Sequence, residues 1–298
     1  MNRPKLILLV GIPGSGKTTY AKRYLSNGDK QITHLSSDSI RAELYGDESI
    51  QGDPAEVFSL MQSRAVEALN NGDDVIYDAT NITRKDRSSI INICPKFAQI
   101  EAHIIWAPIG MCIERDAMRE RTVGKAVIDK MLKRFQMPYF DEGIDEIQII
   151  RPQGFGMAQY ESECWKAMDI PHDNHHHIFN VQYHCRQAYE LIPKGNPQLT
   201  MAAWYHDIGK PYTKFFKPGE DIAHYYDHHC VGGYLAYGLF LRFGDNSMYD
   251  WNSDNACFTS WLVSTHMEPF FNSGYYKTLP QQWKWCIDII HEADIAAH

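Results

Sequence analysis

The apolar positions of this chain fall into two regimes. Up to about residue 150, short unbroken apolar runs alternate with amphipathic stretches. Leu6-Ile7-Leu8-Leu9-Val10 is apolar throughout, the pattern of a strand buried on both faces of a parallel sheet. The helix-forming stretch Thr19–Leu25 follows it. His34-Leu35-Ser36-Ser37-Asp38 reads as a second short strand with a polar end, and Asp38-Ser39-Ile40-Arg41 opens a helix. Across 54–70, Val57, Leu60, Met61, Ala65 and Leu69 recur at helical spacing, and Gly72 ends the run. Strands are predicted at Asp74–Tyr77, Ala102–Trp106 and Ile147–Ile150, and helices from about Met111 and Lys125. This alternation predicts an α/β unit with a parallel sheet and helices on both faces. Arg151-Pro152-Gln153-Gly154 breaks the pattern, and beyond it no strand alternation recurs. The expected organisation is an α/β domain over 1–151, a linker over 152–169 and an all-α domain over 170–298.

Between the first strand and its helix lies Gly11-Ile12-Pro13-Gly14-Ser15-Gly16-Lys17-Thr18, which fits G-x-x-x-x-G-K-[ST]. Glycines let backbone N–H groups converge on an anion, and the helix N-terminus attracts the same charge. Gly14, Ser15 and Gly16 would cradle phosphates, Lys17 would reach the terminal ones, and Thr18 would help hold Mg²⁺. The expected ligands are ATP and Mg²⁺.

Other polar residues fall where α/β sheets collect ligands, at the carboxyl ends of the strands. Asp38 either caps its helix or acts as a general base on an attacking hydroxyl, with Arg41 binding an acceptor phosphate. Asp78 would orient Mg²⁺ through water, and Thr80 and Asn81 would position substrate, or the three form a capped polar turn. On the helix from Met111, Arg115, Arg119 and Arg121 either form a solvated face with Glu114, Asp116 and Glu120 or supply a lid over the phosphates. Arg119 is the leading lid residue and Arg121 its competitor.

Composition sharpens the contrast between the halves. Lys and Arg number 29 against 37 Asp and Glu, a formal charge of −8, which argues against a wholly basic nucleic-acid binder. Of the 14 histidines, 12 lie beyond residue 150, which points to metal chemistry there. Seven cysteines without C-x-x-C spacing suggest reduced thiols and a cytoplasmic setting. No apolar run approaches a membrane span, and the first one leads straight into the glycine loop, unlike a signal peptide.

The second half carries His184, His206-Asp207, His228, His266 and Asp294 in that order. The His-Asp pair sits near the end of an apolar helix that Gly209 terminates. Adjacent ligands there can face two different ions, or Asp207 can bridge them. Imidazole and carboxylate suit Mn, Fe, Co, Ni or Zn, and two such ions generate hydroxide and clamp a phosphoryl group. Lys210, one turn from His206, would bind the substrate phosphate. His229 competes with His228 as ligand. His175-His176-His177 reads as a loop cluster or a source of phosphate contacts. Met157, Tyr160, Trp165, Trp261, Phe270, Phe271, Trp283 and Trp285 are expected in the core rather than on a base-stacking surface.

Gly11–Thr18, Asp38-x-x-Arg41, Asp78-Ala79-Thr80-Asn81, the arginine-rich segment and Lys125-Ala126-Val127 together resemble the kinase domain of phage polynucleotide kinase-phosphatases, over about residues 4–151. The resemblance implies that Lys17 and Thr18 hold ATP and Mg²⁺, Asp38 activates a 5′-OH, Arg41 binds the acceptor's 3′-phosphate and Arg119 touches the donor phosphates. The ordered H…HD…H…H…D set, with its flanking sequence, resembles the His–Asp (HD) phosphohydrolase superfamily over about residues 170–298. That resemblance implies an all-helical fold, with one ion held by His184, His206, Asp207 and Asp294 and another by Asp207, His228 and His266. The expected whole is an enzyme, a bifunctional healer of nucleic-acid ends. It pairs an ATP-dependent 5′-OH kinase with a metal-dependent 3′-phosphatase or 2′,3′-cyclic phosphodiesterase. RNA ends are favoured over DNA, with a separate ligase as partner. Two readings compete: a nucleoside or metabolite kinase fused to an HD nucleotidase, and a nucleotide-controlled binding module without turnover.

Overall fold

A computed structural model describes residues 3–26, 31–151, 157–174, 179–246 and 253–297. The chain divides into two compact units, residues 1–128 with 140–153, and residues 129–139 with 154–298.

The first unit is built on five strands: β1 (Lys5–Val10), β2 (Ile32–Ser36), β3 (Asp74–Asp78), β4 (Gln99–Ile105) and β5 (Glu146–Ile150). They lie in the order β2-β3-β1-β4-β5, and all pairings are parallel. Strand β1 is central and is buried from Leu6 to Val10, as its unbroken apolar run requires. Successive crossovers leave β1 on opposite sides, to β2 and β3 on one and β4 on the other. The carboxyl end of β1 is therefore a topological switch point, where a crevice opens. The helices are α1 (Lys17–Ser26), α2 (Ser37–Tyr45), α3 (Pro54–Asn70), α4 (Arg84–Ile91) and α5 (Ile109–Ala117), and α6 (Lys125–Leu132) begins in this unit, which ends at residue 128 before resuming at 140. Helix α3 runs over the span its periodicity predicts, with Asp53 as N-cap and Pro54 in the first turn.

Helix α5 departs from expectation. It stops at Ala117, so only Arg115 of the three arginines is helical. The buried Asp116 carboxylate explains the stop. It accepts hydrogen bonds from Val123 and Gly124 N–H and folds the following loop back on the helix end.

The second unit holds α7 (Met157–Ala167), α8 (Val181–Leu191), α9 (Pro197–Tyr205), α10 (Lys210–Thr213), α11 (His228–Asn246), α12 (Ser253–Thr265), α13 (Glu268–Phe271), α14 (Gly274–Thr278) and α15 (Gln281–Ala296). Helix α7 occupies the stretch expected to be linker. Tyr160, Cys164 and Met168, spaced one turn apart, bury its inner face. The segment 129–139 also belongs here, where Phe135 meets Tyr234 edge-on at 5.1 Å and Tyr139 stacks on Trp261 at 5.0 Å. The second half is not wholly helical, because β6 (Phe215–Phe216) and β7 (Ala223–His224) form a short antiparallel hairpin. Tyr160 and Trp261 are core residues as expected, and Trp165 and Trp283 are half-buried. Phe270, Phe271 and Trp285 are exposed. Phe270 and Phe271 lie on the single-turn helix α13, too short to turn both rings inward. The side chain of Met157 and the cluster His175–His177 lie outside the described residues.

Candidate phosphate cradle and metal centre

In the first unit, β1 delivers the glycine loop to the crevice and α1 begins at Lys17. The loop is tied across the sheet by Gly11 N–H donating to the Thr80 carbonyl (3.1 Å). Gly14 has φ +78, and a Cβ there would lie 2.1 Å from the Cys112 carbonyl oxygen, so only glycine lets the loop lie on α5. Lys17 Nζ donates to the Gly11 and Ile12 carbonyls at 2.8 and 3.1 Å. Burial pushes its ammonium down to about 8, partly opposed by Asp78 and reinforced by repulsion from Arg119. The Thr18 side chain is exposed at the helix start and Ser15 is buried in the loop.

Asp78 ends β3, buried, with His34 Nε2 at 3.2 Å from its carboxylate. Asp38 is not the cap of α2. Ser36 takes that position and accepts from Asp38 N–H, which leaves the Asp38 carboxylate in the first turn, 55% exposed and 2.8 Å from Arg41 Nη1. Its charge acts weakly on Lys17, favouring the ammonium. Arg115 approaches the loop, with Nη1 3.4 Å from the Ser15 carbonyl oxygen, and Arg121 donates to the Glu48 carbonyl at 2.8 Å. Arg119 is exposed in the turn after α5. Of Arg119 and Arg121, Arg119 is the one whose charge acts on Lys17.

Asn81 has its amide engaged within the sheet. Its φ is +46, it is buried, and its Nδ2 donates to the Leu9 carbonyl at 2.8 Å, stitching β3 to β1. The fully buried Arg87 holds the same turn, donating to the Asn81 carbonyl (2.9 Å) and pairing with Glu142 (2.7 Å). Thr80 is half-buried, and its carbonyl is the acceptor for Gly11.

In the second unit the six expected ligands converge. Donor atoms of His184, His206, Asp207 and Asp294 form one group, those of Asp207, His228 and His266 another, each within 4.8 Å. His184 Nε2 lies 2.8 Å from Asp294 and 3.3 Å from His206 Nε2, and His228 Nε2 lies 3.2 Å from both Asp207 and His266 Nε2. His228, not His229, faces Asp207. The helix ends that carry these ligands meet because Gly209 has no side chain. A Cβ there would sit 2.0 Å from the His228 carbonyl oxygen.

The donor set fits divalent ions on its own chemistry. Nδ1 of His206, His228 and His266 hydrogen-bonds the carbonyls of Ala203, Tyr225 and Val263 at 2.7–2.8 Å. A carbonyl only accepts, so each Nδ1 carries a proton and Nε2 is the nitrogen each ring turns inward, where a metal would take its lone pair. Nε2 of His228 and Nε2 of His266 lie 3.2 Å apart, close enough for one cation to bind both. Burial alone would raise the Asp207 and Asp294 carboxyls. The Lys210 ammonium and His206 hold Asp207 well below the usual range, and His206 and His184 do so for Asp294.

The sequence reading missed His172. It is buried, its Nδ1 donates to the Phe179 carbonyl (2.8 Å), and its Nε2 accepts from Lys210 Nζ at 3.1 Å. Lys210 Nζ also lies 2.5 Å from Asp207, so His172 steers the lysine over the cage. The Pro171-His172 step alone carries no ligand spacing that would have marked it.

Residues 6–138 match the family model AAA_33, an AAA domain. The chain is 28% identical over 139 residues to the L-seryl-tRNA(Sec) kinase of Methanococcus maripaludis, covering 45% of this chain and 53% of that protein. It is 26% identical over 151 residues to transcription factor bHLH140 of Arabidopsis thaliana, covering 48% of this chain and 16% of that one. Among solved structures, a Pnkp1/Rnl/Hen1 complex matches at 25% identity and TM-score 0.36, over 41% of this chain and 42% of that one. A second such structure, titled as an RNA repair complex, matches at 23% and TM-score 0.41, over 45% and 44%. The chain thus spans about half or less of the length of these relatives. Strand order, glycine loop and family match together make the first unit a parallel-sheet α/β P-loop domain.

Proposed function

We propose that this chain heals broken nucleic-acid ends, RNA above all, with a 5′-OH kinase in the first unit and a metal-dependent 3′-end phosphohydrolase in the second. The observation that carries the reading is that one chain holds a P-loop lysine within electrostatic reach of an exposed carboxylate–arginine pair and also a six-residue His–Asp cage.

In the kinase, Gly14–Thr18, Lys17 among them, bind the donor phosphates of ATP, and Thr18 and Asp78 would hold Mg²⁺, which would neutralise developing charge. Lys17 must leave the Gly11 and Ile12 carbonyls to do so. Asp38 accepts the proton of the 5′-OH as its oxygen attacks the γ-phosphorus and the bond to the β–γ bridging oxygen breaks, releasing ADP. Arg41 binds the acceptor's phosphate. The 55% exposure of Asp38 supports an open acceptor site that a polymer end can enter.

In the hydrolase, the two donor groups would hold two divalent ions, which supply hydroxide at neutral pH and polarise the phosphoryl oxygens. Lys210, held by His172, neutralises the phosphate as it is attacked, and the buried cage excludes bulk water. A separate ligase would use the resulting 5′-phosphate and free 3′-OH.

The test supplies the protein with ATP, Mg²⁺, Mn²⁺ and an RNA bearing 5′-OH and 2′,3′-cyclic phosphate ends, and reads both termini. Conversion of both ends is expected. Asp38→Ala should stop only the 5′ step and Asp207→Ala only the 3′ step. Unchanged ends in the wild type would refute the reading.

A further inference from the structure

We propose that the β6–β7 hairpin carries a nucleobase-stacking platform beside the His–Asp cage, seating the base of the terminal nucleotide whose phosphate is hydrolysed. This rests on the hydrolase reading above and names the part of the substrate which that site recognises.

The hairpin joins the two sides of the cage. It begins at Phe215, five residues after Lys210, and returns through Tyr225 and Tyr226 to the ligand His228. Register places Phe215 opposite His224, and the rings of Phe215, His224 and Tyr226 lie 5.4–5.5 Å apart at mutual angles of 33–54°. Phe215 and Tyr226 are 36% and 55% exposed, so the cluster leaves aromatic surface open to solvent where a packed core would hide it.

The platform is fixed to the catalytic side chains. Ala223 N–H donates to the Asp173 carbonyl at 2.7 Å, and Lys214 Nζ reaches the Asp173 carboxylate at 2.7 Å. Tyr225 donates its hydroxyl to the His172 carbonyl, and Lys210 Nζ lies 5.4 Å from the Tyr225 ring centre. Asp227, in the left-handed region at φ +62, turns the chain sharply between Tyr226 and His228. Two residues span at most about 7 Å, so Tyr226 stands within one nucleotide's reach of the cage.

Charge selects a base over a phosphate track. Lys214 is neutralised by Asp173, and Glu220 pairs with His224 at 2.7 Å. Asp221 and Asp227 add negative charge, and Lys217 lies over the Tyr226 ring at 5.9 Å. A polyphosphate path finds little net attraction here, whereas a nucleobase gains aromatic faces edged by one ammonium.

The experiment compares wild type with Phe215→Ala/Tyr226→Ala, Mn²⁺-loaded, on a 3′-phosphorylated oligoribonucleotide and on β-glycerophosphate, which has no base. Stacking is worth about 1–3 kcal/mol per base, so the ratio of kcat/KM for the two substrates should fall about 5- to 150-fold. Phe215→Trp/Tyr226→Trp should restore it. An unchanged ratio overturns the proposal. Binding of the oligonucleotide is measured in parallel in an Arg41→Ala background, which weakens the kinase acceptor site. Equal affinity of wild type and the double alanine variant overturns the platform whether or not turnover occurs, while absent turnover with a platform-dependent affinity overturns only the hydrolase reading. A wild-type dimer in sedimentation that the double variant dissolves assigns the rings to a second copy of the chain and also overturns the proposal.

Discussion

Gly209→Ala probes how the cage is assembled without touching a ligand. A methyl there would lie 2.0 Å from the His228 carbonyl oxygen and 2.7 Å from Gly232 N, both backbone atoms that no rotamer can move. Ordinary contact begins at 3.4 Å, so the start of α11 must retreat by about 1.4 Å (3.4 less 2.0). Metal sites tolerate about 0.2 Å in ligand distance, and His228 rides on the displaced turn. Overpacking of this kind costs about 1–3 kcal/mol. At about 2–4 °C per kcal/mol for a unit this size, thermal unfolding of the second unit should fall by roughly 2–12 °C. Metal content after Mn²⁺ loading and dialysis should drop from two ions to one, the His184–Asp294 group surviving. Nucleotide binding by the first unit serves as the internal control. Two ions held at wild-type affinity by a fully folded variant would refute the argument that this contact sets the position of His228.

Other outcomes follow from the same geometry. In the free protein Lys17 titrates near 8, below its ordinary 10.5, and nucleotide phosphates should raise it again. Below pH 8 the lysine is charged both free and bound, so affinity is flat; above it, binding must take up a proton and affinity should fall by up to about tenfold per pH unit. Calorimetry at pH 9 in buffers of different ionisation heat should register that uptake, and its absence would reject the assignment. Arg87→Leu removes the fully buried partner of Glu142, leaving Arg84 at 3.4 Å, and should cost about 1–3 kcal/mol in urea unfolding, whereas Arg87→Leu/Glu142→Leu should recover part of it; equal losses in both would contradict the pairing. His172→Ala should raise KM for the 3′-phosphate substrate more than it lowers metal content, and a loss of metal equal to that of Asp207→Ala would assign it to the cage itself.

Much of this was legible in the sequence, for reasons that differ by region. The buried strands announce themselves because a parallel sheet covered on both faces leaves no room for polar alternation, as in Leu6–Val10. The six candidate ligands could be named because their order and flanking sequence resemble the HD phosphohydrolases, and the structure brings donor atoms of all six together in two groups that could hold a metal. What escaped was decided by tertiary hydrogen bonds. Asn81 reads like a substrate residue, yet its amide is committed to Leu9 across the sheet. Asp38 reads equally as a cap or a base, and only the fold shows that Ser36, two residues earlier, takes the cap position. The helix after Met111 ends early because Asp116 binds N–H groups seven and eight residues ahead. His172 has meaning only once folding sets it beside Lys210.

Three of the four cage imidazoles are anchored to the carbonyl three residues before them: His206 to Ala203, His228 to Tyr225 and His266 to Val263. Each ring is thus aimed by its own stretch of backbone rather than by a distant neighbour. Capture of an ion demands little reorganisation, since tautomer and tilt are settled before it arrives. Surface drift elsewhere in the unit can accumulate without spoiling the aim, provided the three chain segments still converge on Asp207.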